Sequence, residues 1–175
     1  MYIDLMNRVM LDVPLRLSLL IHIAKGMQYL HSFPSKIIHR DLKSLNVLVT
    51  EDWIAKVTDF GLSRFTAMSG SEQMTGQAGT YQWMAVEVIK GQSYTEKVDV
   101  FSFGVIMWEV LTGEVPYLGM QPIQIVSAVV TENQRPPIPS SMPHDQASLI
   151  RSCWDLNPRI RPSFDDILSR LEAMI

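Results

Sequence analysis

The sequence predicts a mainly α fold with a few short β-strands gathered in its N-terminal third. Three observations carry that expectation. Apolar residues recur at steps of three and four through Leu17, Leu20, Ala24, Met27 and Leu30, the spacing of one helix face. A second apolar run, Val98 to Leu111, is too long for a strand and stops at Thr112-Gly113, a C-cap pattern. The β-rich runs between them are too short and too few for a large sheet. With 175 residues, 47% apolar and 19% charged, the composition is that of a globular domain, and a chain of this size buries roughly 70% of its unfolded surface in one core.

Taken in order, the first helix runs from Pro14 to His31, Pro14 suiting the first turn because its missing N–H is not needed there. Short strands follow at Ile37-Ile38, Val47-Leu48-Val49 and Ile54-Ala55-Lys56-Val57, the last two joined as a hairpin by the polar turn Thr50-Glu51-Asp52. Residues 61–80 hold Gly61, Gly70, Gly76 and Gly79 among several Ser and Thr, which reads as a long loop, and such loops are usually functional. Thr95-Glu96-Lys97 opens the apolar helix, and a shorter helix fits Pro122 to Val130. Arg135-Pro136-Pro137-Ile138-Pro139 is an extended connector because proline neither donates nor lets its predecessor turn helical. Helices at 145–154 and 163–174 complete the chain, the second opened by Ser163 with Asp166 three residues on, a capping box.

The charges exclude several classes of function. Lys and Arg number 15 against 18 Asp and Glu, a net charge of −3, so neither a nucleic-acid footprint nor a polybasic membrane anchor is expected. Cys153 is the only cysteine and no Asn-x-Ser/Thr acceptor occurs, which fits a reducing intracellular compartment, the cytoplasm. Met1-Tyr2-Ile3-Asp4 lacks a basic region followed by an apolar one, so no signal peptide is expected. The Val98–Leu111 run is broken by Asp99 and Glu109 and falls short of the roughly 20 residues that span a bilayer, so it reads as a buried helix and no membrane insertion is expected. The 11 methionines read as core filler.

The chemistry is concentrated in His39-Arg40-Asp41-Leu42-Lys43-Ser44-Leu45-Asn46, followed 13 residues after Asn46 by Asp59-Phe60-Gly61, and then by Trp83-Met84-Ala85-Val86-Glu87. Singly, each residue is an ordinary loop side chain. Together, in this order and at this spacing, they resemble the eukaryotic protein-kinase family. Cys153-Trp154 and Asn157-Pro158-x-x-Arg161-Pro162-Ser163-Phe164 are similar to its tyrosine-kinase-like group, whereas Lys43 and Gly79-Thr80-x-x-Trp83 look like a Ser/Thr-specific enzyme, with dual specificity as the alternative.

The resemblance implies the helical C-terminal lobe of a kinase that uses ATP and Mg²⁺ on a protein substrate. Asp41 would accept or orient the proton of the attacking hydroxyl, and Lys43 would place a positive charge near the transferred group. Asn46 and Asp59 would hold magnesium through an amide and a carboxylate oxygen, since this hard ion takes few protein ligands and completes its shell with water and phosphate. The intervening hairpin would bring the two together. Leu48 matches the apolar floor under the adenine ring and, read as sequence alone, is an inward strand residue. Asp99 matches an aspartate that accepts hydrogen bonds from the catalytic-loop backbone, and Glu87 and Arg161 match an ion pair tying the end of the activation segment to the lobe. His39, Phe60 and Gly61 complete the motifs structurally. The activation segment, Asp59 to Glu87, offers Thr66, Ser69, Ser71, Thr75 and Thr80 as hydroxyls, with Arg40 and Arg64 as partners for a phosphate added by an upstream kinase; Thr80 is expected to meet substrate.

Two departures stand out. Val86 replaces the family's usual proline before Glu87, restoring a backbone N–H and loosening φ. The 175 residues also contain no Gly-x-Gly-x-x-Gly and no strand lysine of the Val-Ala-Ile-Lys type, while Tyr2–Leu11 resembles the first helix after the hinge. The chain is therefore expected to be one kinase lobe over 1–175, inactive on its own, with a face around Leu48 and Phe60 left exposed. A catalytically incompetent lobe serving as an interaction or regulatory module is the alternative reading.

Overall fold

A computed structural model describes residues 11–60, 64–65 and 81–175. Tyr2–Met10, Gly61, Thr66–Thr75 and Thr80 lie outside these residues, so the expectations for that first helix and for most of the activation segment do too.

Helix α1 spans Val13–His31 and starts where the sequence says it must. Asp12 in extended backbone accepts the Leu15 N–H at 2.9 Å, and Pro14 sits in the first turn. Leu17, Leu20, Ala24 and Met27 are buried, and so are Leu19, Ile21 and Ile23, so α1 is covered on more than one face. After β1 (Ile37–Ile38) and a single 3₁₀ turn at Ser44–Asn46, strands β2 (Val47–Val49) and β3 (Ala55–Val57) form an antiparallel hairpin with Val47 opposite Val57 and Leu48 opposite Lys56. The turn between them is closed by Trp53 N–H to Thr50 O at 3.1 Å and Thr50 N–H to Ile54 O at 3.0 Å. Strand β1 finds an antiparallel partner in β4 (Arg64–Phe65), a pairing the local pattern did not announce.

The short helix α2 (Val86–Ile89) has no signature in the sequence, since four residues are too few to show a period. Helix α3 (Lys97–Thr112) is the centre of the core, with every residue from Val98 to Val110 buried. Gly113 ends it in the left-handed region at φ 76°, donating to Glu109 O, and Arg16 from α1 donates to the carbonyls of Val110 and Leu111. Helices α4 (Pro122–Thr131), α5 (His144–Cys153) and α6 (Phe164–Glu172) follow, with 135–139 extended between α4 and α5. The Ser163 and Asp166 side chains each cap the other's backbone at the start of α6. Met27, Met84 and Met107 are core residues.

Helix α6 returns to pack on α1. Gln28 donates to Asp165 at 2.6 Å, the His31 and Phe164 rings meet edge-on at 5.1 Å, and Lys25 and Glu172 are 3.6 Å apart. Among the described residues no helix is long and apolar enough to cross a membrane.

Candidate active site

The loop His39–Asn46, expected to carry the catalysis, hangs from the N-terminal end of α3. The Asp99 carboxylate, fully buried, accepts the backbone N–H groups of His39 and Arg40, each at 2.9 Å. His31 Nε2, from the last turn of α1, lies 2.9 Å from the same Asp99 Oδ2. Arg40 sits at φ 73°, a conformation costly for a side chain with a Cβ. The two hydrogen bonds to Asp99 hold it there. The Arg40 guanidinium lies 5.7 Å from the centroid of the Tyr94 ring.

Within the loop three of the expected residues converge. Asp41 Oδ2 is 2.7 Å from Lys43 Nζ and accepts Asn46 Nδ2 at 3.0 Å, and Asn46 Nδ2 also donates to the Asp41 carbonyl at 2.9 Å. All three side chains are nearly buried. Pinning the Asn46 nitrogen fixes which end of that amide is its oxygen, the atom a hard cation would take.

The hairpin then carries the chain back. Asn46 O accepts both the backbone N–H and the hydroxyl of Thr58, at 2.9 and 3.1 Å, and His39 Nε2 lies 3.0 Å from Thr58 O. Asp59 follows at once, exposed and in the left-handed region at φ 62°. Phe60 is half exposed and stands against the His39 ring at 5.3 Å. One amide and one carboxylate, brought close by a shared neighbour, suit a Mg²⁺ ion that keeps several waters. Among the described residues no group of three or more His, Cys, Asp or Glu side chains is placed to hold a metal.

Leu48 corrects its sequence reading. It is 48% exposed, not inward, because the hairpin has only two strands and its outer face carries no further layer. With Phe60 at 49% exposure, it leaves apolar surface open next to the catalytic loop.

Further from the loop, Arg161 and Glu87 form a bidentate pair, Nη1 to Oε1 at 2.6 Å and Nη2 to Oε2 at 3.0 Å, with the Arg161 side chain wholly buried. Arg161 also donates to the carbonyls of Asp155 and Lys97 and lies 5.1 Å from the Phe101 ring centroid. Replacement of proline by Val86 leaves this pair intact. Arg64 enters only as backbone of β4.

In the sequence Glu109 is only a break in an apolar run. Glu109, 1% exposed on α3, accepts the Ser44 hydroxyl at 2.8 Å and the Trp83 indole N–H at 3.2 Å. Burial pushes its carboxyl from 4.5 up to about 7, with the two hydrogen bonds pulling in the other direction. An acid inside an otherwise apolar helix was the available signal, since such residues are almost never fully buried without partners.

Comparison with known proteins places this geometry. A family model described as protein tyrosine and serine/threonine kinase matches residues 5–171. A probable serine/threonine-protein kinase of Dictyostelium discoideum is 46% identical over 168 residues, covering 96% of this chain and 18% of that protein. The serine/threonine/tyrosine-protein kinase HT1 of Arabidopsis thaliana is 44% identical over 172 residues, covering 98% of this chain and 43% of HT1. The serine/threonine-protein kinase STY17 of the same plant is 42% identical over 159 residues, 91% of this chain and 27% of STY17. The chain thus spans less than half the length of these relatives. With its mainly helical fold and the family match running almost end to end, the chain belongs to the protein tyrosine and serine/threonine kinase family.

Proposed function

We propose that this chain is the helical lobe of a cytoplasmic Ser/Thr protein kinase, holding the protein substrate and the magnesium-bound nucleotide while Asp41 directs the acceptor hydroxyl. The observation that carries this reading is the convergence of Lys43 and Asn46 on Asp41 Oδ2 in a loop anchored to Asp99. Asn46 and Asp59 are the residues that would hold Mg²⁺, which when bound neutralises charge on the phosphates of ATP. The Ser or Thr hydroxyl gives its proton to Asp41 as its oxygen bonds to the γ-phosphorus, and the bond from that phosphorus to the departing ADP oxygen breaks. Lys43, already paired with Asp41, sets positive charge beside the oxygens on which negative charge grows. Leu48 and Phe60 offer the apolar surface on which an adenine ring and the glycine-loop lobe would rest. Thr75 and Thr80, with Arg40 and Arg64, are the candidates for regulation by an upstream kinase.

The test is Asp41→Asn in the full-length gene product, assayed for ATP-dependent phosphorylation of a Ser/Thr peptide library. Loss of the positioned base lowers turnover by roughly 10²- to 10⁴-fold in protein that circular dichroism shows to be folded. Near-normal turnover in the variant removes Asp41 from the mechanism. Absence of transfer by the unsubstituted protein favours the non-catalytic module instead.

A further inference from the structure

A cavity of about 510 Å³ opens where the segment leading into α3 meets the turn Pro158–Ile160 ahead of α6. Its size is that of a ligand pocket, and the proposed mechanism gives it no task. The charges around it do not cancel. Two acids line it, Glu87 and Glu96, and so do two cations, Lys97 and Arg159. Both acids are already matched from outside the lining, Glu87 by Arg161 at 2.6 Å and Glu96 by Lys36 at 2.6 Å. The two lining cations have no carboxylate of their own. Lys97 Nζ donates to the carbonyls of Arg161 and Pro162 at 2.8 and 3.0 Å, which leaves one ammonium N–H unspent. The exposed Arg159 guanidinium makes no hydrogen bond or ion pair with any described residue. Four cations against two acids leave +2 at the cavity. Neutral donors are unspent as well. The hydroxyls of Ser93 and Tyr94, and Nδ2 of Asn157, whose Oδ1 accepts the Arg159 backbone N–H, have no partner among the described residues.

We propose that this cavity binds a phosphate monoester, the phosphorylated serine or threonine side chain of a partner protein, with Arg159 and Lys97 on its oxygens. Such a group carries about −1.5 to −2 at neutral pH and three terminal acceptor oxygens, which matches both the unspent charge and the supply of unspent donors. A carboxylate or a phosphodiester brings only half that charge. Arg159 supplies the planar fork that bonds two phosphate oxygens at once, and Ser93, Tyr94 and Asn157 serve the third oxygen and the backbone beside it. The volume exceeds what a bare phosphate ion fills, so the group arrives on a larger body. The choice of a protein as that body rests on the kinase reading above, because Glu87 on the cavity wall ends the segment along which a kinase holds protein. The phosphate site itself does not rest on that reading.

The test is isothermal titration calorimetry on the full-length gene product with a blocked alanine–phosphoserine–alanine tripeptide, its unphosphorylated form and inorganic phosphate. We expect the phosphopeptide to bind saturably with a Kd of about 1 mM or tighter, the unphosphorylated peptide not at all, and inorganic phosphate at least about tenfold more weakly than the phosphopeptide. Arg159→Ala, which removes a side chain with no bond inside the fold, weakens the phosphopeptide about 10- to 100-fold, the size of a lost charge-assisted contact. Arg159→Lys recovers part of that loss, and Arg151→Ala, on an equally exposed and unpaired arginine of α5, leaves the affinity unchanged. Absence of saturable binding, an unchanged affinity in Arg159→Ala, or an equal loss in Arg151→Ala overturns the site. Inorganic phosphate binding as tightly as the phosphopeptide overturns its assignment to a phosphorylated side chain. No step of these titrations needs turnover. A protein that transfers no phosphate yet loses affinity on Arg159→Ala sinks the kinase mechanism and keeps the site, whereas an active kinase that binds no phosphopeptide sinks the site alone.

Discussion

Replacing Arg161 by methionine keeps much of the side chain's aliphatic bulk and removes its charge. In the structure this strands the Glu87 carboxylate, whose side chain is 9% exposed, and removes one hydrogen bond each from the carbonyls of Asp155 and Lys97. Breaking a buried ion pair from one side costs about 3 to 5 kcal/mol, because the remaining charge stays out of water. The two lost hydrogen bonds to carbonyls push toward the upper end of that range. Against a total stability of about 5 to 15 kcal/mol, the loss is a large fraction. For a chain of this size it corresponds to a fall in Tm of roughly 6 to 20 °C. The assay is urea unfolding followed by circular dichroism, with the m-value checked for constancy so that the midpoint reports stability alone. Adding Glu87→Leu to Arg161→Met removes the stranded charge and recovers at least half the loss. A single variant losing less than about 1 kcal/mol, or a double variant no better than the single, refutes the reasoning.

Two further predictions concern helix α3. The Glu109 carboxyl is raised from 4.5 to about 7 in the folded chain, so the native state binds this proton more tightly than the unfolded state does, and stability falls as pH rises from about 4.5 to 7 and is level above. The drop attributable to this group is about 3 kcal/mol; Glu109→Gln should gain that much relative to the unsubstituted protein between pH 4.5 and 8 in urea titrations, and a pH-independent difference contradicts it. At Gly104 a Cβ would stand 2.8 Å from Cys153 Cβ and 3.2 Å from Trp154 N. Gly104→Ala should therefore cost about 1 to 3 kcal/mol by thermal unfolding, and Cys153→Ala should not rescue it, because the clash is with the Cβ that alanine retains.

How far the sequence could be read depended on the distance over which each feature is encoded. Helix α1, the C-cap at Gly113, the β2–β3 hairpin and the Ser163–Asp166 capping box are written within a few neighbouring residues, and their positions were legible to within a residue or two. The β1–β4 pairing and the exposure of Leu48 were not, since both depend on which strand or layer lies alongside. The site divides the same way. Asp41, Lys43, Asn46 and Asp59 stood out through a local motif, and the structure brings the first three into direct contact. The supports beneath them were silent: His31 meets Asp99 across 68 residues and Ser44 meets Glu109 across 65, and no local pattern announces either meeting.

The packing of α6 against α1 has a consequence for how the molecule comes into being. Helix α1 carries His31, which buttresses the Asp99 anchor of the His39–Asn46 loop, and α6 lies against it through residues that include Phe164, Asp165 and Glu172. On the ribosome α6 follows α1 by on the order of ten seconds at ordinary elongation speeds. Throughout that interval the apolar side of α1 waits for its cover, and the loop that bears Asp41 lacks a settled foundation. Nascent chains halted before residue 164 should therefore be chaperone clients, and α1 gains this cover only once α6 has been made.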